Sequence, residues 1–428
     1  MTELRELLEE TANSAPPPSR LVADELYAAG RRRRRRRAVA NCAAVVALVM
    51  TAGTGVASMM RQERSVSGET GVDQEQSLLG VLPHRGELIQ WASAADAHHL
   101  YVTMSTHLSC SKEPCAKTIV QMVGSDDGGR TWSDRGGPIN AVSFRVLGPG
   151  RLLAAILPDT PGVGARTLQV STDGGRIWRK LVRASAVAGV PAGGTAVCWP
   201  ESDKVAETCT VHALDAAPHR LAPLTSQPPF ALDEDSSIAQ TAGRLWASGV
   251  DPATGRPAVA VSRDAGRSWA SEVFADAPAC QRGGCPAPHL AVGDGPAVYA
   301  VIDGAGRLAV YRYVESGGQG GDGWQPVSGA DELPADRLAG GTPSFVTSDG
   351  THVLSEVVAQ PGQGIDGYRW WAARPDGVYQ PVELDGLPPT VKPIRRTPDG
   401  WFYTHSYTDG MLYGSADGWR WLPVARSS

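Results

Sequence analysis

The sequence predicts an all-β protein, a β-propeller of seven blades preceded by a transmembrane helix. Three observations predict it. A turn motif recurs with a blade-sized period, short strand-like runs flank each copy, and one uncharged apolar stretch follows a run of arginines. Six and eight blades are the neighbouring counts.

The elements follow in chain order. Residues 1–37 carry nine arginines against six acidic residues and form the expected cytoplasmic basic tail. Leu4, Leu7 and Leu8 recur at helical spacing, and Ser19 and Gly30 bracket a second short helix over Leu21–Ala29. This tail either docks a cytoplasmic partner or lies as a plain segment beside the membrane. Arg31–Arg37 is an unbroken arginine run, and Ala38–Met59 after it is uncharged and rich in Ala, Val, Leu and Met. About twenty apolar residues cross a bilayer. Positive charge stays inside, so the N-terminus is expected in the cytoplasm and the C-terminal domain outside the cell. A cleaved signal peptide is the competing reading, since Val56-Ala57-Ser58 offers small residues; a leader of 37 residues before the apolar core is long for that. Residues 60–78 then read as an extracytoplasmic linker, and residues 79–428 as the β-propeller ectodomain.

Composition agrees. The 428 residues include 49 Gly and 32 Pro, which supply the backbone angles of many turns. Beyond residue 60 the chain holds 31 basic and 39 acidic residues. An acidic ectodomain excludes nucleic acid as the expected partner, because such binding needs clustered positive charge.

Three octapeptides share the frame Ser-x-Asp-x-Gly-Arg-x-Trp. They are Ser125–Trp132, Ser171–Trp178 and Ser262–Trp269, with Asp127, Asp173 and Asp264 at the third position and Gly129, Gly175 and Gly266 at the fifth. The Asp accepts hydrogen bonds from turn amides, the Gly allows positive φ, and the Trp packs over the hairpin. Weaker turns at Asp215, Asp322, Asp376 and Asp417 complete a series with intervals of 46, 42, 49, 58, 54 and 41 residues. Runs such as His99–Met104, Leu152–Ile156, Leu245–Gly249, Ala297–Ile302, His352–Val357 and Trp401–His405 stand where an inner strand of each blade belongs. Trp421–Val424 is expected as the outer strand of the last blade, or residues 76–82 as the edge strand that closes the ring.

Six of the seven cysteines form close pairs: Cys110 with Cys115, Cys198 with Cys209, and Cys280 with Cys285. Their spacing lacks the CxxC and His pattern of a zinc site and fits local disulfides in an oxidising compartment. No P-loop, GxSxG, HExxH or EF-hand loop occurs, and no metal or cofactor is expected.

The octapeptides resemble the Asp-box, or BNR, repeat of sialidases and sortilin-type propellers. The resemblance covers residues 80–428 as architecture and some thirty residues as motif. It implies that Ser125, Asp127, Gly129, Trp132, Ser171, Asp173, Gly175, Trp178, Ser262, Asp264, Gly266 and Trp269 are structural, on the blade rims. In a sialidase three arginines clamp the substrate carboxylate, a Tyr with a Glu is the nucleophile, and an Asp is the acid/base. The Arg-Ile-Pro motif of that family is absent here; the nearest string is Pro393-Ile394-Arg395-Arg396, and Arg85 lacks the matching context. Tyr403, Tyr407 and Tyr413 have no assignable Glu partner, so no catalytic residue is named. The expected function is a membrane-anchored, extracytoplasmic module binding a protein, peptide or glycan of the cell envelope, with enzyme activity left open. The alternative is a divergent sialidase-type glycoside hydrolase.

Overall fold

The structure is a computed structural model, and it describes residues 80–426 apart from 85–87, 106–119, 140, 157–166, 200–207, 216–218, 234–237, 242, 278–286, 296, 305–306, 316–322, 334–343, 361–363 and 407. The predicted tail, apolar segment and linker (1–37, 38–59 and 60–78) lie outside these residues, as do Arg85, Tyr407, Asp322 and the pairs Cys110–Cys115 and Cys280–Cys285. Among the described residues no helix is long and apolar enough to cross a membrane.

The described residues form thirty strands in seven sheets, one per blade. β1 is Gly80–Val81. Blade 1 holds β2 (Leu88–Ala94), β3 (Leu100–Ser105), β4 (Val120–Ser125) and β5 (Ser133–Asp134). Blade 2 holds β6 (Ala141–Gly148), β7 (Arg151–Ile156), β8 (Thr167–Ser171) and β9 (Arg179–Lys180). Blade 3 holds β10 (Val182–Arg183), β11 (Thr195–Trp199), β12 (Thr208–Asp215), β13 (Arg220–Pro223) and β14 (Leu232–Asp233). Blade 4 holds β15 (Ala239–Thr241), β16 (Arg244–Val250), β17 (Pro257–Ser262) and β18 (Ala270–Val273). Blade 5 holds β19 (His289–Val292), β20 (Val298–Gly304), β21 (Arg307–Val314) and β22 (Gly323–Pro326). Blade 6 holds β23 (Ser344–Val346), β24 (His352–Gln360), β25 (Gly364–Ala373) and β26 (Gln380–Val382), and blade 7 holds β27 (Arg395–Arg396), β28 (Phe402–His405), β29 (Met411–Ser415) and β30 (Leu422–Arg426).

The blades meet face to face, so a central strand has no polar side. β4 and β17 are buried along their whole length. Alternation instead sends successive side chains to opposite neighbours. In β7, Leu152 and Ala154 join the core shared with blade 1, while Leu153 and Ala155 join the core shared with blade 3. Among the described residues seven such clusters exist, one at each blade interface, including the one between blades 7 and 1. Each fully buried Leu, Val or Phe in them contributes roughly 1.5–3 kcal/mol.

The strand runs picked from the sequence are the second strands of their blades, not the innermost ones. The innermost strands of blades 4 to 7 are only two to four residues long, and several carry mixed polar residues. Both expectations for ring closure hold together. β30 is the fourth strand of blade 7, and β1 lies parallel outside it with Gly80 opposite Ala425 and Val81 opposite Arg426. Closure adds a fifth strand rather than replacing the fourth.

Blade 3 departs from the pattern. In the other blades the first strand runs toward the turn joining strands 1 and 2. Thr195 starts β11 at that same end, two residues after Gly193, whose carbonyl accepts from Arg151 at the start of β7. β11 therefore runs the opposite way and takes the place of a second strand. β12 and β13 are then third and fourth, which puts the Asp215 turn at the junction predicted for it, and β10 is a parallel fifth strand beside β13. The chain from Ala184 to Val190 follows the outer edge and reaches the carbonyl of Ala265 in blade 4 before turning inward at Pro191–Gly194. Among the described residues blade 3 consequently has no inner strand.

Candidate functional site

The three octapeptides sit between the third and fourth strands of blades 1, 2 and 4. In each, the Ser hydroxyl donates to the Asp carboxylate at 2.8 Å: Ser125 to Asp127, Ser171 to Asp173 and Ser262 to Asp264. The same oxygens accept from the amides of Gly129, Gly175 and Gly266 at 2.7–2.8 Å. The carboxylates accept from the amides of Thr131, Ile177 and Ser268, each at 2.9 Å. The glycines hold φ of 88–89°. Ser415, Asp417 and Gly418 repeat this arrangement in blade 7. Asp127 and Asp264 are lowered to about 2, first by the hydroxyls of Thr131 and Ser268. Every donor here belongs to its own turn, so the carboxylates serve the turn rather than a ligand.

The tryptophans reach further than their hairpins. Trp132 packs in the core between blades 7 and 1, Trp178 between 1 and 2, and Trp269 between 3 and 4. Each motif thus fastens its blade to the preceding one. The sulfurs of Cys198 and Cys209 are bonded across β11 and β12, as the sequence predicted.

The cavity that stands out lies on the axis, where the inner strand of blade 3 is missing. It has a volume of about 820 Å³ and is lined from blades 2, 3, 4, 5 and 7. The Pro191–Thr195 turn forms one side. Four charged residues line it: Arg145 in β6, Arg244 at the start of β16, Asp294 after β19 and Arg396 in β27. Arg396 is 13% exposed and pairs with Asp294, 63% exposed, from two blades away. Arg244 pairs with Glu315 and lies over the ring of Tyr313. Thr241 closes the wall between blades 4 and 5 by donating to the carbonyls of Gly293 and Gly295 at 3.1 and 3.3 Å. The lining holds three arginines and one aspartate within an acidic domain, with two of the arginines ion-paired.

Groups with perturbed pKa lie elsewhere. His352 is fully buried between blades 5 and 6, stacked on Tyr299 at 4.3 Å, and burial lowers it to about 3. His405 is lowered to about 4, again mainly by burial. Tyr403 donates to or accepts from Ser93 at 2.9 Å in the interface of blades 7 and 1, and Tyr413 is buried between blades 6 and 7. Neither lines the cavity. Among the described residues no tyrosine or glutamate does, and no cluster of three metal-ligating side chains exists.

Sequence reasoning missed Arg145, Arg244 and Asp294, and weighed Arg396 only as part of an imperfect motif. The available signal was negative. Between Arg183 and Thr195 the sequence reads Ala-Ser-Ala-Val-Ala-Gly-Val-Pro-Ala-Gly-Gly, where an inner strand belongs and a Pro-Gly turn stands instead.

No protein-family model matches the chain, and no curated protein matches it. Solved structures do. YCF48 bound to D1 peptide is 14% identical with a TM-score of 0.32, over 80% of this chain and 83% of that one. An α-L-arabinofuranosidase of Fusarium graminearum with an iminosugar inhibitor is 12% identical with a TM-score of 0.36, over 77% and 88%. The β-propeller domain of the Trilobed protease of Pyrococcus furiosus is 9% identical with a TM-score of 0.41, over 79% and 99%. The chain is a seven-bladed β-propeller, and likenesses this distant speak to no activity.

Proposed function

We propose that the protein is a non-catalytic binding module, anchored in the cell membrane through residues 38–59 and facing outward, and that its ligand occupies the axial cavity. The observation that carries this reading is the open, arginine-bearing end of the channel left by the missing inner strand of blade 3. Arginine pairs in planar, bidentate fashion with carboxylates and phosphates, so an anionic group of a peptide or glycan suits the lining. The turn geometry at Asp127, Asp173 and Asp264 supports kinship with Asp-box propellers. The disulfide Cys198–Cys209 supports an oxidising compartment.

The sialidase-type alternative has one observation in its favour, the three arginines on the axis. Among the described residues no Tyr–Glu pair of the kind that chemistry requires lines the cavity. The test is made on the purified full-length protein in detergent. Anionic sugars and acidic peptides are titrated against wild type and against Arg396→Ala and Arg145→Gln, with binding read by calorimetry. Loss of binding in both variants is expected. Equal affinity in all three proteins sinks the cavity as the site, and fluorophore release from a sialoside panel sinks the non-catalytic reading.

A further inference from the structure

The outer rim of blades 2 and 3 differs in charge from the rest of the ectodomain. Residues 174–200 contain Arg176, Arg179, Lys180 and Arg183 and no Asp or Glu, in a domain where acidic residues outnumber basic ones. β9 and β10 carry three of these cations, run on from one another along the rim, and are exposed throughout. Arg220, register partner of Val182 in β13, adds a fifth exposed cation. Among them stand Ile177 and Val182, 58% and 60% exposed. Beside this strip a cleft of about 300 Å³ is lined by Leu168, Leu181, Leu221, Trp199, Lys180 and Arg183.

We propose that this rim is a membrane-contact surface that takes the anionic headgroups of the bilayer in which the chain is anchored. Cations interleaved with apolar side chains and an adjoining tryptophan are the composition of an interfacial surface. Each Lys or Arg brought to an anionic leaflet strengthens association about fivefold. An acidic polypeptide would use the cations but not the exposed Ile177 and Val182. Position agrees as well. The chain joins the ring at Gly80, packed against Gly129 and Trp132 in the blade 1 turn, and Arg176 of the next turn pairs with Asp126 of that same turn at 3.0 Å. Residues 60–79 separate the apolar segment from Gly80 and span at most about 70 Å when extended.

The inference rests on the membrane-anchor reading, and its test separates the two. The full-length protein is reconstituted into nanodiscs of pure phosphatidylcholine or of phosphatidylcholine with 30% phosphatidylglycerol. Backbone hydrogen exchange over residues 176–183 is then compared. Exchange in this segment should slow at least threefold in the anionic discs, and the effect should vanish in 0.5 M NaCl and in Arg179→Gln/Lys180→Gln. Both positions are exposed, so the variant keeps its fold, checked by unchanged exchange in β4 and β17. Equal exchange in both discs overturns the inference, as does protection that survives the double substitution. A chain that fails to co-elute with discs overturns the anchor alone. The same comparison is then made with added vesicles of the two compositions, with the same outcomes deciding.

Discussion

Ser262 fills one hydrogen-bonding role that Ser125, Ser171 and Ser415 fill in other blades. It is fully buried, accepts from the Gly266 amide at 2.7 Å and donates to Asp264. Ser262→Ala leaves a buried amide without an acceptor and should lower stability by about 1–2 kcal/mol, read as a urea midpoint shift. Histidine sets the acid behaviour. His352 and His405 are lowered to about 3 and about 4 from an ordinary value of 6.5. Between those values the unfolded chain binds protons that the folded one does not, so stability falls as the pH drops below 6.5. The turn aspartates act in a separate window. Asp127 and Asp264, held at about 2 against an ordinary 3.8, contribute above pH 3.8, and that contribution is lost as the pH falls through about 2. Thermal unfolding between pH 7 and 4 should therefore show a falling midpoint, and His352→Phe should flatten that slope; a slope unchanged by the substitution would place the effect elsewhere.

At the scale of elements, blade 3 lacks its inner strand and is bonded across β11 and β12 instead. The Cys198–Cys209 bridge closes 11 residues, for which chain entropy gives about 3 kcal/mol. Replacing both cysteines with alanine should cost that much, and reducing agent should shift wild type but not the variant. Gly80 in β1 is equally specific. A Cβ there would stand 1.8 Å from the Gly129 carbonyl oxygen and 2.7 Å from Trp132 Nε1, so Gly80→Val should detach β1. The resulting loss is about 3 kcal/mol, seen as faster exchange at the amides of β30. This scale also shows what was legible in the sequence. The turns were, because Ser, Asp, Gly and Trp act within eight residues of one another. Blade number followed from their spacing, and the Asp215 turn falls where that spacing put it. The inner strands were not legible. Strands such as β15 and β27 are two or three residues long and line a channel, so no run of apolar residues marks them. The cavity was hidden for a related reason: Arg145, Arg244, Asp294 and Arg396 come from four blades and share no local pattern.

At the scale of the molecule, each blade leans on two neighbours through one apolar cluster per interface, and the last interface depends on β1, β30 and Leu82 together. A chain beginning at residue 83 should therefore unfold at a lower temperature than one beginning at residue 76, and with a broader transition as the ring opens between blades 7 and 1. An equal midpoint would mean that the cluster suffices without the outer strand. The closing pair has a mechanical consequence too. Any pull on the polypeptide N-terminal to Gly80 reaches the ring through two residue pairs, Gly80–Ala425 and Val81–Arg426, and the bond from the Leu82 amide to Arg426. The strands are parallel, so the load shears a very short contact while four-stranded sheets stand behind it. Under tension β1 should slip first, leaving the blades folded, which makes this junction a mechanical fuse between whatever holds the N-terminus and the ring.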